Sequence, residues 1–230
     1  MLNSAIRNKI RSAKYFFFDF DGTLVNLEKL NLEGFTKVFK NHTGKDLSID
    51  EYKNKLAGKK SVDGFSLLIE EFGMTGVSPA GLVAEFRKIK RNAIQKDPGR
   101  FSDLVSGADK FVSWIVDEGK ICAITSSSSK EFIDALLSYY GILQYFDRIW
   151  DYTSPGLGKP SPDIYFTAMN YYRASTNECM IFEDSKNGLS AGRSSGIFTV
   201  GIKNSPWNDG YVDDMADAVI EGYEEVMEND

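Results

Sequence analysis

Short apolar segments alternate with longer amphipathic segments over most of the chain. The apolar segments have the length of strands and mostly lack polar–apolar alternation, which is typical of strands buried on both faces. They are Tyr15–Phe18, Ile121–Ile124, Arg148–Trp150, Met180–Phe182, Ile197–Ile202 and Ala218–Ile220. The segments with helical periodicity between them are Ala108–Asp117, Lys130–Tyr140, Pro162–Tyr172 and Asn187–Ser195. Strands that alternate with helices predict an α/β fold in which helices cover both faces of a parallel sheet.

Residues 26–97 interrupt this alternation, because their pattern is helical throughout. Ser78-Pro79 is typical of a helix start, and Asp97-Pro98-Gly99 marks the return to the strand–helix pattern. An insert placed after the first strand of such a sheet leaves and re-enters at the edge where ligands bind. We therefore predict a core formed by residues 1–25 and 98–230, with residues 26–97 as a helical cap domain that acts as a lid.

Composition narrows the class of partner. The 230 residues include 27 basic and 33 acidic side chains, which give a formal net charge of −6. This balance argues against nucleic acid or an anionic membrane as the main partner, and no segment approaches the roughly 20 apolar residues of a transmembrane helix. Cys122 and Cys179 lie in apolar runs, which is typical of buried thiols in a reducing compartment. We expect a cytoplasmic protein that acts on a small molecule; the sequence does not indicate its oligomeric state.

Two predicted strands end in paired carboxylates. Asp19 and Asp21 follow the first strand, where Gly22 permits a tight turn, and Glu183 and Asp184 follow the fourth. The carboxyl ends of parallel strands meet at one edge, so four negative charges are expected to converge there. Like charges at this range repel, and a hard divalent cation offsets them. An all-oxygen site with phosphate nearby favours Mg²⁺.

Two other segments at the same edge are suited to binding an anion. Thr125 and Ser126 follow the second strand and lead into the helix at Lys130, where hydroxyls and N–H groups would form an anion-binding nest. The competing interpretation is that Ser129 only caps that helix. Lys159 lies between Gly and Pro in a rigid loop, although a solvated lysine is the ordinary alternative. Together with the acidic strand ends, these residues predict metal-assisted phosphoryl transfer with a carboxylate nucleophile.

The order of these motifs resembles that of the haloacid dehalogenase-like hydrolase superfamily. The matching segments are Phe16–Val25, Ile121–Ser126, Lys159–Phe166 and Ile181–Gly196. The helical insert is similar to the small cap of the subfamily that includes phosphoglycolate phosphatase and β-phosphoglucomutase. The resemblance implies a Rossmann-like core with an inserted helical cap, and a Mg²⁺-dependent phosphatase that acts on a small phosphorylated metabolite.

The resemblance also implies a role for each matched residue. Asp19 would attack phosphorus and form an aspartyl-phosphate, and Asp21 would act first as general acid and then as general base, with Lys159 completing the catalytic set. The phosphoryl oxygens would be bound by Gly22, Thr125, Ser126 and Lys159. The Mg²⁺ ligands would be Asp19, Asp21, Glu183 and Asp184. Asp21 would contribute its carbonyl oxygen, and Glu183 would act directly or through water.

Residues at single positions distinguish this chain from superfamily members with other activities. Dehalogenases and phosphonatases lack a second acid at the position of Asp21, so this residue argues against both. Mutases of the β-phosphoglucomutase type share the core motifs but carry a Thr and a His where this chain has Leu27 and Asn31. This difference favours a phosphatase. A sugar-phosphate mutase is the alternative, followed by a non-catalytic binding protein on the same scaffold.

Overall fold

The chain divides into two compact units. The computed structural model describes residues 2–151, 158–203 and 210–227. The first unit comprises Met1–Asn26 and Leu104–Asp230, and the second comprises Leu27–Asp103. The second unit therefore ends beyond position 97, where the sequence pattern placed the end of the helical insert.

The secondary structure follows the alternation in the sequence. The strands are β1 (Tyr15–Phe18), β2 (Val25–Asn26), β3 (Asp103–Leu104), β4 (Ile121–Thr125), β5 (Phe146–Trp150), β6 (Cys179–Glu183), β7 (Phe198–Ile202) and β8 (Ala218–Ile220). The helices of the first unit are α1 (Leu2–Ser12), α7 (Ala108–Asp117), α8 (Lys130–Tyr139), α9 (Asp163–Tyr172), α10 (Lys186–Ser195) and α11 (Tyr211–Met215). Those of the second are α2 (Glu28–Thr43), α3 (Ile49–Lys55), α4 (Ser61–Phe72), α5 (Pro79–Lys96) and α6 (Pro98–Phe101).

Six strands form one sheet in the order β5-β4-β1-β6-β7-β8, and each pairing is parallel. Strand β1 lies between β4 and β6, where Phe18 is level with Ile124 on one side and with Phe182 on the other. The chain segments that leave these three strands therefore emerge side by side. The α/β fold class predicted from the sequence is confirmed.

Helices cover both faces of the sheet because successive side chains of a buried strand point to opposite sides. Phe17 packs with Ile181 and with residues of α9 and α10, including Tyr165. The neighbouring Phe18 contacts the ring of Phe182, 4.9 Å away between centroids, and that of Phe111 on α7. Both faces are thus apolar, which explains the unbroken apolar runs in the sequence.

Two elements were not predicted from the sequence. Helix α1 buries Ile6 and Ile10, and the Lys120 ammonium donates to the carbonyl oxygens of Ile10 and Ala13, each at 2.8 Å. Strands β2 and β3 form a separate two-stranded sheet where the chain passes between the units. Two-residue strands are too short to produce a periodic pattern.

The second unit is helical, with its own apolar core. Phe35, Phe65 and Phe86 pack together, with ring centroids between 4.6 and 5.7 Å apart. Gly34 permits this packing, because a Cβ there would overlap the Phe86 ring. Among the helices of the described residues, none is both long and apolar enough to cross a membrane.

Candidate active site

Three acidic side chains meet at the carboxyl ends of β1 and β6. Asp19 follows β1 directly, and its N–H donates to the Phe182 carbonyl at 2.9 Å. Glu183 is the last residue of β6 and Asp184 is the next. Each of the three residues has one carboxylate oxygen in the cluster, and these three oxygens all lie within 4.8 Å of one another. The parallel register of the two strands thus brings together acids that are far apart in the sequence.

Lys159 is a buried cation rather than a solvated side chain. It is 4% exposed, and its Nζ lies 2.6 Å from Asp19 Oδ1 and 2.5 Å from Glu183 Oε2. Burial alone lowers the pKa of Lys159, but the negative charges of Asp19 and Glu183 outweigh it and raise that pKa well above its ordinary value. The ammonium therefore stays protonated and joins the two strand ends.

Glu183 is bound by protein donors at both carboxylate oxygens. Oε2 accepts from Lys159 and from the Tyr165 hydroxyl at 3.3 Å, and Oε1 accepts from the N–H and hydroxyl of Ser185 at 3.0 and 2.8 Å. A Cβ at Gly188 would overlap this carboxylate, so the first turn of α10 closes directly against it. These contacts fix Glu183 and, through it, the position of Lys159.

Burial and neighbouring negative charges raise the pKa values of Asp19 and Asp184. Burial, followed by the charge of Glu183, raises the pKa of Asp19 to about 7, although Lys159 partly offsets this. Burial and the charges of Glu183, Asp19 and Asp21 raise the pKa of Asp184 well above its ordinary range. Clustered carboxylates in such surroundings form an all-oxygen donor set, which fits a hard divalent cation such as Mg²⁺.

The turn after β1 brings Asp21 towards this cluster. Gly22 has φ +83°, and a Cβ there would overlap the Asp184 carboxylate. The Gly22 N–H donates to the Val25 carbonyl at 2.8 Å, and the Thr23 hydroxyl donates to Asp184 Oδ1 at 3.2 Å. Asp21 is partly exposed, and its charge contributes to the raised pKa of Asp19 and Asp184.

Replacing Gly22 with alanine is expected to weaken metal binding beyond the cost of backbone strain. The positive φ alone costs roughly 1–2 kcal/mol for an L-residue. The matched control is Gly119→Ala, because Gly119 has φ +72° and a Cβ there would meet no atom within 4 Å among the described residues. Both variants should melt at a lower temperature, but only Gly22→Ala should lose the rise in melting temperature on addition of Mg²⁺. Equal Mg²⁺ responses would show that the turn does not hold Asp184 in place.

Thr125 and Ser126 are buried at the end of β4, beside β1. Thr125 Oγ1 lies 3.5 Å from the Phe18 carbonyl oxygen, next to Asp19. The Ser126 N–H donates to the Trp150 carbonyl at 2.9 Å. The structure therefore places these two of the four predicted phosphate-binding residues at the sheet edge that carries the acids.

The start of α8 differs from the interpretation in which the Ser129 side chain caps the helix. The Lys130 N–H donates to Asp151 Oδ2 at 2.9 Å, so a carboxylate that follows β5 caps this helix instead of Ser129. The Ser128 N–H is also bound, since it donates to Ser126 Oγ at 3.1 Å. The N–H groups of Ser128 and Lys130 are thus already paired within the protein.

Sequence reasoning did not assign Thr23 and Tyr165, which contact the acids, or Asp151, which caps α8. Asp151 directly follows a strand, as Asp19 and Asp184 do, and this position was a usable signal. Thr23 lies within the Asp-x-Asp-Gly-Thr segment but had no role assigned. Tyr165 gave no signal, because an aromatic residue on the buried face of α9 is ordinarily a core residue.

Comparison with known proteins identifies the family. The model of the haloacid dehalogenase-like hydrolase family matches residues 16–202, which include each of the acids, Lys159, Thr125 and Ser126. The chain therefore belongs to this family of enzymes, and the resemblance found in the sequence is confirmed.

The sequence identity between this chain and individual relatives is low. The chain is 26% identical over 189 residues to the validoxylamine A 7'-phosphate phosphatase of Streptomyces hygroscopicus subsp. limoneus, which covers 82% of this chain and 85% of that one. It is 33% identical to the β-phosphoglucomutase of Bacillus subtilis over 100 residues, or 44% and 43% of the two chains. A solved hydrolase of the family from Entamoeba histolytica superposes with a TM-score of 0.77 at 23% identity, covering 93% and 95%. At that identity the superposition shows the fold alone.

Proposed function

We propose that this protein is a Mg²⁺-dependent phosphatase that hydrolyses a small phosphorylated metabolite through a covalent intermediate on Asp19. One observation carries the proposal: the Asp19 carboxylate is buried against the Lys159 ammonium and lies beside Asp184. In this proposal, the nucleophile, the phosphate-binding cation and a metal ligand share one site. The similarity to the validoxylamine A 7'-phosphate phosphatase supports hydrolysis of a phosphate ester as the reaction class.

The proposed reaction has two displacements at phosphorus. In the first, a bond forms between an Asp19 oxygen and phosphorus while the ester P–O bond breaks, and Asp21 gives its proton to the leaving oxygen. In the second, Asp21 takes a proton from water, the water oxygen attacks phosphorus, and Asp19 is released with inorganic phosphate. Lys159, Thr125 and Ser126 bind the phosphoryl oxygens in this proposal, and the turn at Gly22 lets the backbone approach them.

The four acidic residues would contribute differently to metal binding. Asp19, Asp184 and the Asp21 carbonyl are proposed as Mg²⁺ ligands, whereas Glu183 already accepts from Lys159, Tyr165 and Ser185. We therefore assign Glu183 mainly to orienting Lys159. When bound, Mg²⁺ would neutralise phosphoryl charge, so that an anionic ester can approach the Asp19 carboxylate.

The test of this function is phosphate release from a panel of sugar phosphates, polyol phosphates, phosphoglycolate and nucleotides. The purified protein should hydrolyse at least one small ester, and Asp19→Asn should not. Absence of hydrolysis across the panel, by protein that binds Mg²⁺, would contradict a phosphatase. The match to a β-phosphoglucomutase is the observation that supports the mutase alternative. A mutase would require a sugar bisphosphate and would show no net release of phosphate.

Removal of the metal is expected to stop hydrolysis. Excess chelator should reduce phosphate release to the level of Asp19→Asn, because the acids around Asp19 would then repel the substrate. Added Mg²⁺ should restore the rate, while Ca²⁺ should restore little of it, since Ca²⁺ prefers higher and looser coordination. A full rate in chelated protein would show that the acidic cluster does not bind a metal needed for the reaction.

A further inference from the structure

A tyrosine near the end of the chain is connected to the acidic cluster by two hydrogen bonds. The hydroxyl of Tyr223 donates to the Thr23 carbonyl oxygen at 3.0 Å. The Thr23 hydroxyl in turn donates to Asp184 Oδ1 at 3.2 Å. Tyr223 and Thr23 are both fully buried, so the bond between them is shielded from water.

The hydroxyl is the part of Tyr223 that packing does not explain. Its ring stacks on Phe111 at 4.9 Å between centroids and lies 5.6 Å from Phe182 and 6.3 Å from Phe18. A phenylalanine would fill the same space with no polar group to bury. Burial raises the pKa of Tyr223 well above its ordinary value, so the hydroxyl remains a donor to Thr23.

A second tyrosine contacts Asp184 from another direction. The Tyr211 hydroxyl donates to the main-chain carbonyl oxygen of Asp184 at 3.1 Å. Asp184 is therefore held at its side chain by Thr23 and at its backbone by Tyr211. Gly22 lies against the same carboxylate, as the overlap of an added Cβ shows. Groups that orient a metal-binding carboxylate strongly affect its affinity for the metal.

We propose that Tyr223 is a positioning residue, which acts through Thr23 to orient the Asp184 carboxylate for a divalent cation, with Tyr211 as a second hold on the same residue. This inference rests on the proposed function, because it assumes that Asp184 is a metal ligand. It assigns to the C-terminal segment a role in the affinity of the site for its metal. Both tyrosines act without contacting substrate.

The test is the Mg²⁺ affinity of substrate-free Tyr223→Phe, measured by calorimetry or by the Mg²⁺ dependence of the melting temperature. Loss of a group that orients a metal ligand weakens binding by about 10- to 100-fold, and the indirect contact through Thr23 places Tyr223→Phe near the lower value. In turnover, kcat should recover at high Mg²⁺. If the hydroxyl had only a structural role, its removal would lower the melting temperature and leave Mg²⁺ affinity within about twofold of wild type. That result would overturn the proposal.

Three further variants make the result specific. Tyr172→Phe is the matched control, because its hydroxyl donates to Asp147 Oδ2 at 2.7 Å, and it should leave Mg²⁺ affinity unchanged. Thr23→Val removes the direct bond to Asp184 and should weaken binding at least as much as Tyr223→Phe. If Tyr223→Phe does not fold, Tyr211→Phe provides the same readout, and unchanged affinity there would overturn the proposal.

The outcomes also separate this inference from the proposed function. Wild-type protein that binds Mg²⁺ but releases no phosphate would contradict the phosphatase and leave the role of Tyr223 standing. Active wild-type protein with unaltered Mg²⁺ affinity in Tyr223→Phe would contradict only the inference. A wild-type protein without Mg²⁺ binding would overturn both.

Discussion

Asp19→Asn is expected to abolish phosphate release while the protein remains folded. The amide has nearly the shape of the carboxylate but is not a nucleophile, so the covalent step is lost. We expect kcat to fall by at least roughly 10³-fold, as for removal of a nucleophile in a covalent mechanism. The measurement is the steady-state rate at saturating Mg²⁺ with the best substrate of the panel. A purified variant with a near-normal rate would rule out the aspartyl-phosphate.

The stability of the same variant provides an independent check. The folded-state pKa of Asp19 is raised to about 7 by burial and by Glu183, above its value in the unfolded chain. Its favourable contribution to stability is therefore present at acidic pH and is lost as pH rises through about 7. At pH 8 without metal, Asp19→Asn should melt no lower than wild type, because it removes a buried charge. A much lower melting temperature would mean that any loss of activity reflects damage to the fold.

The sheet was predictable because each strand carries its own signal. The apolar runs Tyr15–Phe18 and Met180–Phe182 predicted buried strands, which the structure shows at Tyr15–Phe18 and Cys179–Glu183, and helix α7 has the bounds expected from its periodicity. Helix α1 was not predicted, although its buried residues Ile6 and Ile10 have helical spacing. It is also held by contacts that are remote in sequence, such as the bond from Lys120 to the Ile10 carbonyl. Such contacts leave no local pattern.

The acidic residues of the candidate site were predictable for a different reason. Pairs of carboxylates directly after apolar strands, such as Asp19 with Asp21, are costly and stand out in the sequence. The groups that orient them did not stand out: Tyr165 and Tyr223 occupy positions where an aromatic core residue is ordinary, and only their hydroxyl contacts distinguish them. Asp151 was overlooked because its partner, the Lys130 N–H, belongs to another element.

The second large effect is expected at Lys159. Lys159→Met keeps most of the apolar volume of the side chain but leaves the carboxylates of Asp19 and Glu183 buried without their common cation. Removing one partner of a buried ion pair destabilises proteins by about 3–5 kcal/mol, and we expect a loss of unfolding free energy in that range for the metal-free protein at pH 8. Denaturant unfolding monitored by circular dichroism measures it. The matched control is Lys120→Met. The Lys120 ammonium donates to main-chain carbonyl oxygens, so its loss does not leave a buried carboxylate without a cation.

A double variant then separates the role of Lys159 in stability from its role in the reaction. In Lys159→Met with Glu183→Gln, the fully buried carboxylate becomes neutral, so the double variant should be more stable than Lys159→Met alone. Its activity should remain at least roughly 10²-fold below wild type, because the positive charge that would bind the phosphoryl oxygens is still absent. Restored stability without restored turnover therefore identifies Lys159 as a group that acts on the substrate. Recovery of both would mean that Lys159 only neutralises the buried acids, and phosphate binding would then have to be assigned to Thr125, Ser126 and the metal.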